Sequence, residues 1–161
     1  MEIKLETLSL NSFDINNKDH IVFLKNMIHD KSITTRFNGF LPRLNSKSKS
    51  IFDKAFLLVN DTNIIGFVDI GAFNKEERAV YLRGAIDKSN RGNNNGHKML
   101  YEVSNFIFSN YPNVEKIKLN IAKDNIASIK TAESCGFYNM LNGFYEKRNP
   151  YITKNSNIRT L

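Results

Sequence analysis

The periodicity of apolar residues changes repeatedly along this chain, which is typical of a domain that mixes helices with strands. Apolar and polar residues alternate as in a strand over residues 3–10, and apolar residues recur at helical spacing over residues 19–29. Two apolar stretches, 55–59 and 64–73, flank the polar residues 60–63, and this pattern predicts a β-hairpin. The N-terminal half is therefore predicted to contain a strand, a helix and two antiparallel strands.

The second half continues the alternation between strands and helices. A strand is predicted over residues 79–86, and the wide apolar stripe of residues 96–110 predicts a helix after it. The remaining predicted elements are a short helix near 47–52, a strand over 117–121, a helix over 125–134 and strands over 137–141 and 144–145. Asn142 and Gly143 separate the last two strands, as expected for a hairpin turn.

Length and composition predict a single α/β domain. The chain has 161 residues and is 41% hydrophobic, which suits one domain with a full core. We place this domain at residues 1–153 and interpret residues 154–161 as a polar tail. The lone Cys135 excludes an internal disulfide framework and favours a cytoplasmic location. We see no leader pattern and no apolar run near the ~20 residues of a membrane span, so no membrane partner is expected.

The formal net charge of +7 raises the question of a nucleic-acid partner. Lysine and arginine are spread along the chain. The longest basic stretch is only residues 46–50, where lysine alternates with serine. We therefore consider nucleic acid an unlikely partner. A cofactor rich in phosphate would benefit from the same positive field.

The loop after the strand at 79–86 is the most informative stretch of the sequence. It reads IDKSNRGNNNG from Ile86 to Gly96 and ends where the longest helix is predicted to begin. Free backbone amides and the positive end of the helix dipole converge there, which makes an anion site. Arg91 adds a planar set of donors suited to phosphate. The loop therefore predicts a phosphorylated cofactor.

Two segments of the chain resemble the GNAT superfamily of acyl-CoA N-acyltransferases. The family's pyrophosphate loop, Gln/Arg-x-x-Gly-x-Gly/Ala, corresponds to RGNNNG starting at Arg91, with Asn94 in place of the middle glycine. Asparagine is the residue other than glycine that best tolerates a positive φ, so we expect this conformation at Asn94. The family's Asn-x-x-Ala/Ser…Gly-Phe segment corresponds to Asn125, Ser128 and the Gly136–Phe137 pair.

The resemblance implies the GNAT fold, an α/β (α+β) architecture. We expect a mixed, mostly antiparallel sheet of six to seven strands, flanked by about four helices, with a splayed central strand pair. The Asn-x-x-Ser-Ile pattern places the chain closest to the branch of ribosomal-protein N-terminal-alanine acetyltransferases. The implied cofactor is acetyl-CoA, with no metal, and the implied contacts are Ala85, Ile86, Asp87, Arg91, Gly92, Asn93, Asn94, Asn95, Gly96, His97, Asn125 and Ser128.

The resemblance also implies a direct attack of a primary amine on the thioester. A backbone N–H within residues 85–87 would polarise the carbonyl. Ala132 stands where many members have the tyrosine that protonates the thiolate, so Ser128 and Tyr145 are the candidate donors. Ser128 is equally well explained as a residue of the helix N-terminus. Glu77 and Asp69 are carboxylates on strands that would border the cleft, and Glu77 is the candidate base. Each is more simply interpreted as a solvated surface charge, and a water chain to the surface is the alternative route for the proton.

The acceptor is left open by the sequence. In the family, acceptor specificity lies between the first helix and the second strand and in the last hairpin, which correspond here to residues 34–50 and 141–151. A small-molecule amine and a protein N-terminus both remain candidates, and a homodimer is possible. The alternative function is an acyl-CoA-binding module of the same fold that is catalytically weak. Cys135 is expected to be a buried structural thiol.

Overall fold

The computed structural model describes residues 7–33 and 54–152, without the side chain of residue 72. Its centre is a seven-stranded sheet in the order β1-β2-β3-β4-β5-β7-β6. All neighbouring strands are antiparallel except β4 and β5, which run parallel. The strands are β1 Leu8–Ser12, β2 Ala55–Asn60, β3 Asn63–Asn74, β4 Ala79–Ile86, β5 Lys116–Asn120, β6 Tyr138–Asn139 and β7 Phe144–Arg148.

Three α-helices flank this sheet within the described residues: α1 Lys18–His29, α2 Asn95–Asn110 and α3 Ile126–Ser134, with a short 3₁₀ helix at Lys88–Asn90. The expected sheet and fold class are thus confirmed, while the helix expected near 47–52 lies outside the described residues. None of the helices in the described ranges is long and apolar enough to span a bilayer.

Element boundaries differ most from the predictions at the two ends of the sheet. Strand β1 ends at Ser12, two residues beyond the predicted end, and the first part of the predicted strand lies outside the described residues. In the last hairpin, β6 has only two residues instead of the predicted five. The Met140 N–H donates to the Phe144 carbonyl at 2.9 Å, and Leu141 and Gly143 have positive φ values of 64° and 87°. The turn is therefore a three-residue loop, which shortens β6.

The parallel strands β4 and β5 separate after a short contact, as the predicted splayed pair requires. They pair only between residues 79–81 of β4 and 116–118 of β5. Beyond Tyr81, β4 continues to Ile86 while still paired to β3 on its other side. This leaves a V-shaped gap along the second half of β4.

The two faces of the sheet carry separate clusters of buried side chains. On one face, Leu24 and Met27 of α1 pack with Leu57 and Phe67. On the other face, residues of α2 and α3 pack with β3, β4, β5 and β7. On this second face, Met99 of α2 lies against Gly66 and Gly84.

Gly66 and Gly84 allow helix α2 to lie close to the sheet. A Cβ atom on Gly66 would come within 2.8 Å of the Ile86 Cδ1 and 3.0 Å of the Met99 Sδ. A Cβ atom on Gly84 would come within 3.0 Å of the Met99 Cε. All three distances are shorter than side chains normally accept, so the position of the start of α2 depends on these two glycines.

Candidate active site

The loop between β4 and α2 has the backbone conformation that its sequence predicts. Asn94 lies in the left-handed region with φ 63° and ψ 15°, and Gly92 has φ 85°. The expectation of a positive φ at Asn94 is therefore confirmed. Asn95, which is 8% exposed, donates from its side-chain amide to the Asn90 carbonyl at 2.9 Å and so holds the loop closed. The Asn94 side chain makes no capping hydrogen bond, which leaves the first amides of α2 available to a ligand.

This left-handed residue gives a direct test of the loop. We expect Asn94→Gly to fold and bind acetyl-CoA at least as well as the wild type, since glycine adopts positive φ without strain. Asn94→Val should destabilise the loop by about 1–2 kcal/mol, because a β-branched residue is strained there. Thermal melting and calorimetry with acetyl-CoA measure both effects. Asn93→Val is the control for strain, since Asn93 does not have a positive φ. Equal stability and equal acetyl-CoA affinity of the two valine variants would contradict the left-handed conformation of Asn94.

Arg91 connects the loop to two other parts of the fold. Its Nε donates to the Ile86 carbonyl at 3.0 Å and its Nη1 donates to the Ser32 Oγ at 3.1 Å. Its Nη2 lies 3.9 Å from the Asp30 carboxylate. Two hydrogen bonds from Ser32, followed by the charges of Arg91 and Lys88, hold the pKa of Asp30 below its usual value despite partial desolvation. Arg91 thus positions the loop as well as supplying positive charge. Its partners Asp30 and Ser32, which follow α1, were not predicted from the sequence.

The start of helix α3 is capped by Asn125. The Asn125 Oδ1 accepts the Ser128 N–H at 3.2 Å. The Ser128 hydroxyl is half-buried and makes no hydrogen bond to the described part of the chain. His97 connects α2 to α3, since its Nδ1 lies 2.7 Å from the Ser134 Oγ. Its ring stacks on Tyr101 of the same helix.

Tyr145 and Ala132 lie in the same apolar cluster beneath α3. Ala132 is 1% exposed and Tyr145 is 5% exposed. The phenol of Tyr145 makes no hydrogen bond within residues 7–33 and 54–152. Cys135 is buried in this cluster too, as expected, and burial raises the pKa of its thiol against the opposing effects of a hydrogen bond from Ser134 and the charge of Lys147. A thiol with a raised pKa is a poor nucleophile at neutral pH.

The amides of β4 divide into two sets that face opposite directions. Asp87 donates its N–H to the Ile65 carbonyl at 2.8 Å, and Ala85 is paired with Phe67 in the same ladder. Because alternate residues of an antiparallel ladder direct their N–H groups to the same side, Gly84 and Ile86 present theirs to the gap. Of the three residues expected to provide the polarising amide, Ile86 is therefore the one whose geometry fits.

A cluster of charged and aromatic side chains lies where β4 and β5 separate; we call it the Lys118 cluster. The Lys118 Nζ lies 3.3 and 3.2 Å from the Glu77 carboxylate oxygens and 3.4 Å from the Glu146 Oε1. It also lies 5.6 Å from the centre of the Tyr81 ring and 5.1 Å from that of Phe144. The sequence predicted a role for Glu77 but for none of these partners, which come from three different strands.

Lys118 is charged despite its burial. Its side chain is 8% exposed. Burial acts to lower the pKa of Lys118, but the hydrogen bond to Glu77, the neighbouring Tyr81 and the hydrogen bond to Glu146 outweigh it and raise the pKa. The structure thus brings Glu77 to Lys118, and the role of Glu77 as a base stays a prediction.

Asp69 is not a solvated surface charge, and that interpretation was wrong. Its side chain is fully buried, and its two oxygens accept from the Arg83 Nε at 3.1 Å and the Arg83 Nη2 at 2.6 Å. The two residues are register partners on β3 and β4, on the face that also carries the Lys118 cluster. This bidentate geometry is the strongest form of the carboxylate–guanidinium pair. No group of three or more potential metal ligands occurs among the described residues.

The splayed pair β4 and β5 and the uncapped start of α2 beside it have the arrangement expected for an acyl-CoA transferase. The family described as an acetyltransferase (GNAT) domain matches residues 13–138. This match covers most of the chain, so the chain belongs to the GNAT acetyltransferase family. It is an acyltransferase that uses acetyl-CoA to acetylate an amine. A search of curated protein sequences finds no match.

Solved structures of spermidine N-acetyltransferases share this fold. A chimera of SpeG from Vibrio cholerae and hSSAT is 18% identical, with a TM-score of 0.69, over 88% of this chain and 95% of that chain. The dodecameric spermidine N-acetyltransferase from Vibrio cholerae in an intermediate state is 16% identical, with a TM-score of 0.68, over 92% and 98%. The Vibrio cholerae enzyme in complex with CoA and spermine is 21% identical, with a TM-score of 0.65, over 81% and 80%. At these identities the likeness concerns the fold.

Proposed function

We propose that acetyl-CoA lies in the gap between β4 and β5 and that a primary amine, on a small molecule or a protein N-terminus, attacks its thioester directly. The observation that carries this proposal is the divergence of the two strands after Tyr81, which leaves one edge of β4 open. An extended pantetheine arm can follow such an edge as an added strand would. The structural neighbour that was solved with CoA and spermine supports the same donor and an amine acceptor.

The pyrophosphate of the cofactor is proposed to bind the amides of residues 92–96. These amides lie at the start of α2, where the helix dipole favours negative charge. The guanidinium of Arg91, held by Ile86 and Ser32, adds positive charge beside them. Asn125 and the first turn of α3 are proposed to line the pantetheine arm.

The thioester carbonyl is proposed to accept a hydrogen bond from the Ile86 or Gly84 amide. Both amides face the gap, and negative charge develops on that oxygen as the amine attacks. The amine nitrogen forms a bond to the carbonyl carbon, the carbon–sulfur bond breaks, and the electron pair leaves on sulfur. The proton of the amine is proposed to pass to Glu77, which Lys118 holds at the cluster, or to water in the open gap. The thiolate then takes a proton from Tyr145, from Ser128 or from solvent.

The experiment that tests the proposed function measures free thiol from acetyl-CoA. The panel of acceptors contains short peptides with free N-termini, n-butylamine, an amino sugar and spermidine. We expect release of one thiol per acetylated amine with at least one acceptor that has a single amine. Tight acetyl-CoA binding without release for any acceptor would favour the alternative, a catalytically weak binding module. Size measurements on the same sample decide whether the protein self-associates.

A pair of variants separates the two candidate proton donors. We expect Tyr145→Phe or Ser128→Ala to lower kcat by about tenfold, below the ~10²–10⁴-fold typical of general acid catalysis, because CoA thiol is a good leaving group. Both variants should fold and still give a thermal shift with acetyl-CoA. Tyr151→Phe removes an exposed phenol and serves as the control. Wild-type kcat in both variants would leave water as the donor.

A further inference from the structure

We infer that Lys118 makes this enzyme discriminate against acceptors that carry a second positive charge, such as polyamines. This inference rests on the proposed function, because it assigns the class of acceptor that the same site accepts. It separates the chain from the spermidine N-acetyltransferases whose fold it shares.

The surroundings of Lys118 have the chemistry of a binding site for an ammonium ion. Two carboxylates, from Glu77 and Glu146, hold its Nζ at 3.2 to 3.4 Å, and the rings of Tyr81 and Phe144 lie within 5.6 Å. Carboxylates and aromatic faces are the groups that recognise cationic amines. The ammonium group that lies between these carboxylates and rings is that of Lys118, whose side chain is almost fully buried.

The Lys118 cluster lies on the side of the sheet from which an acceptor would reach the gap. Along β4, Tyr81 alternates in phase with Ala85, which packs in the cluster under α1, and α2 covers the opposite face. Phe144 and Glu146 belong to the last hairpin, one of the two segments expected to select the acceptor.

The spacing along β4 matches the length of a polyamine. Tyr81 is the register partner of Lys118. Gly84, whose amide faces the gap, is three residues further along, about 10 Å away at the rise of a β-strand. An extended spermidine whose terminal amine attacks beside Gly84 and whose chain runs back along β4 therefore brings its other terminal amine to the Lys118 cluster.

Within the described residues, the carboxylates at that position already have a cationic partner. The Lys118 Nζ already occupies the place between the two carboxylates, and the nearby Asp69 is bonded to Arg83. The incoming cation would have to displace Lys118 or lie against it, and juxtaposed like charges are a strong device against a wrong partner. An acceptor with a single amine meets no such obstacle.

The test is to remove the lysine and measure polyamine binding directly. In calorimetry, we expect Lys118→Ala to bind spermidine about tenfold or more tightly than the wild type, since an ammonium can then lie between Glu77 and Glu146. Lys116→Ala is the matched control: Lys116 lies two residues earlier on the same strand and makes no ion pair within the described residues. Equal spermidine affinity of Lys118→Ala and the wild type would overturn the inference.

A rescue measurement covers the case in which Lys118→Ala is unstable. Added n-butylammonium should then raise its Tm, because a ligand that binds only the folded state stabilises it by mass action. The same concentration should leave the Tm of Lys116→Ala unchanged. An unstable Lys118→Ala variant that n-butylammonium does not stabilise would contradict the inference.

Turnover separates this inference from the proposed function. With active enzyme, the ratio of kcat/KM for spermidine to that for n-butylamine should rise about tenfold or more in Lys118→Ala. If no amine yields thiol in any variant, the proposed function fails, while the binding and rescue results still decide whether Lys118 fills an ammonium site.

Discussion

Asp69→Ala is expected to lower the free energy of unfolding by about 3 kcal/mol. Removing one partner of a buried ion pair typically costs ~3–5 kcal/mol, because the other charge is left without compensation. The lower end applies here, since the Arg83 side chain is 37% exposed and can turn towards water, whereas Asp69 is fully buried. Urea unfolding of the wild type and the variant measures the difference.

Two further variants define what the Asp69 result means. Asp69→Asn keeps the shape of the side chain and one acceptor for Arg83, so its loss of stability should be smaller. Glu115→Ala breaks the exposed pair that Arg78 and Glu115 form at 3.0 Å, and should cost ~1 kcal/mol or less. If Asp69→Ala and Glu115→Ala cost the same, the buried pair does not stabilise the fold in the way its geometry indicates.

Arg91→Glu should raise the KM for acetyl-CoA about tenfold to a hundredfold and change the KM for the acceptor far less. A hydrogen bond to a charged group is worth ~1.5–3 kcal/mol, which corresponds to that range of affinity. The variant also replaces the donor that joins the loop to Ile86 and Ser32 with a carboxylate beside the phosphate-binding amides. Steady-state kinetics with each substrate varied in turn measures the two KM values.

The control for Arg91→Glu carries the same change of charge at a nearby exposed position. Lys88 lies on the short 3₁₀ helix, three residues before Arg91, and is exposed. Lys88→Glu should shift the KM for acetyl-CoA only slightly, because solvent screens its charge. Unchanged acetyl-CoA affinity of Arg91→Glu in calorimetry would show that residues 92–96 do not bind the pyrophosphate.

Most elements of the fold follow from patterns within short stretches of sequence. Helix α2 begins one residue before its predicted start and ends where predicted, because its apolar stripe lies within the segment and Tyr111 and Pro112 follow it directly. The left-handed Asn94 was predictable for the same reason, since the tolerance of asparagine for positive φ is a local property. The expected loop–helix arrangement follows from such local information.

The charged face of the sheet was not predictable in this way. The pairing of Asp69 with Arg83 depends on strand register, and the Lys118 cluster depends on the neighbourhood of β4, β5 and β7. Strand order and register are fixed by packing between distant segments, so a single sequence leaves the partners of each charge undefined. The anchoring of Arg91 by Ser32 was missed for the same reason, because 59 residues separate the two side chains.

Because Met99 lies against Gly66 and Gly84, a substitution at either of these core positions also affects the cofactor loop. A side chain at Gly66 or Gly84 would have to move Met99, and the start of α2 carries the loop amides with it. Substitutions at these two core positions would therefore be recorded in a genetic screen as cofactor-binding defects. Their effects should combine non-additively with changes at Asn94, because all of them act on the start of α2.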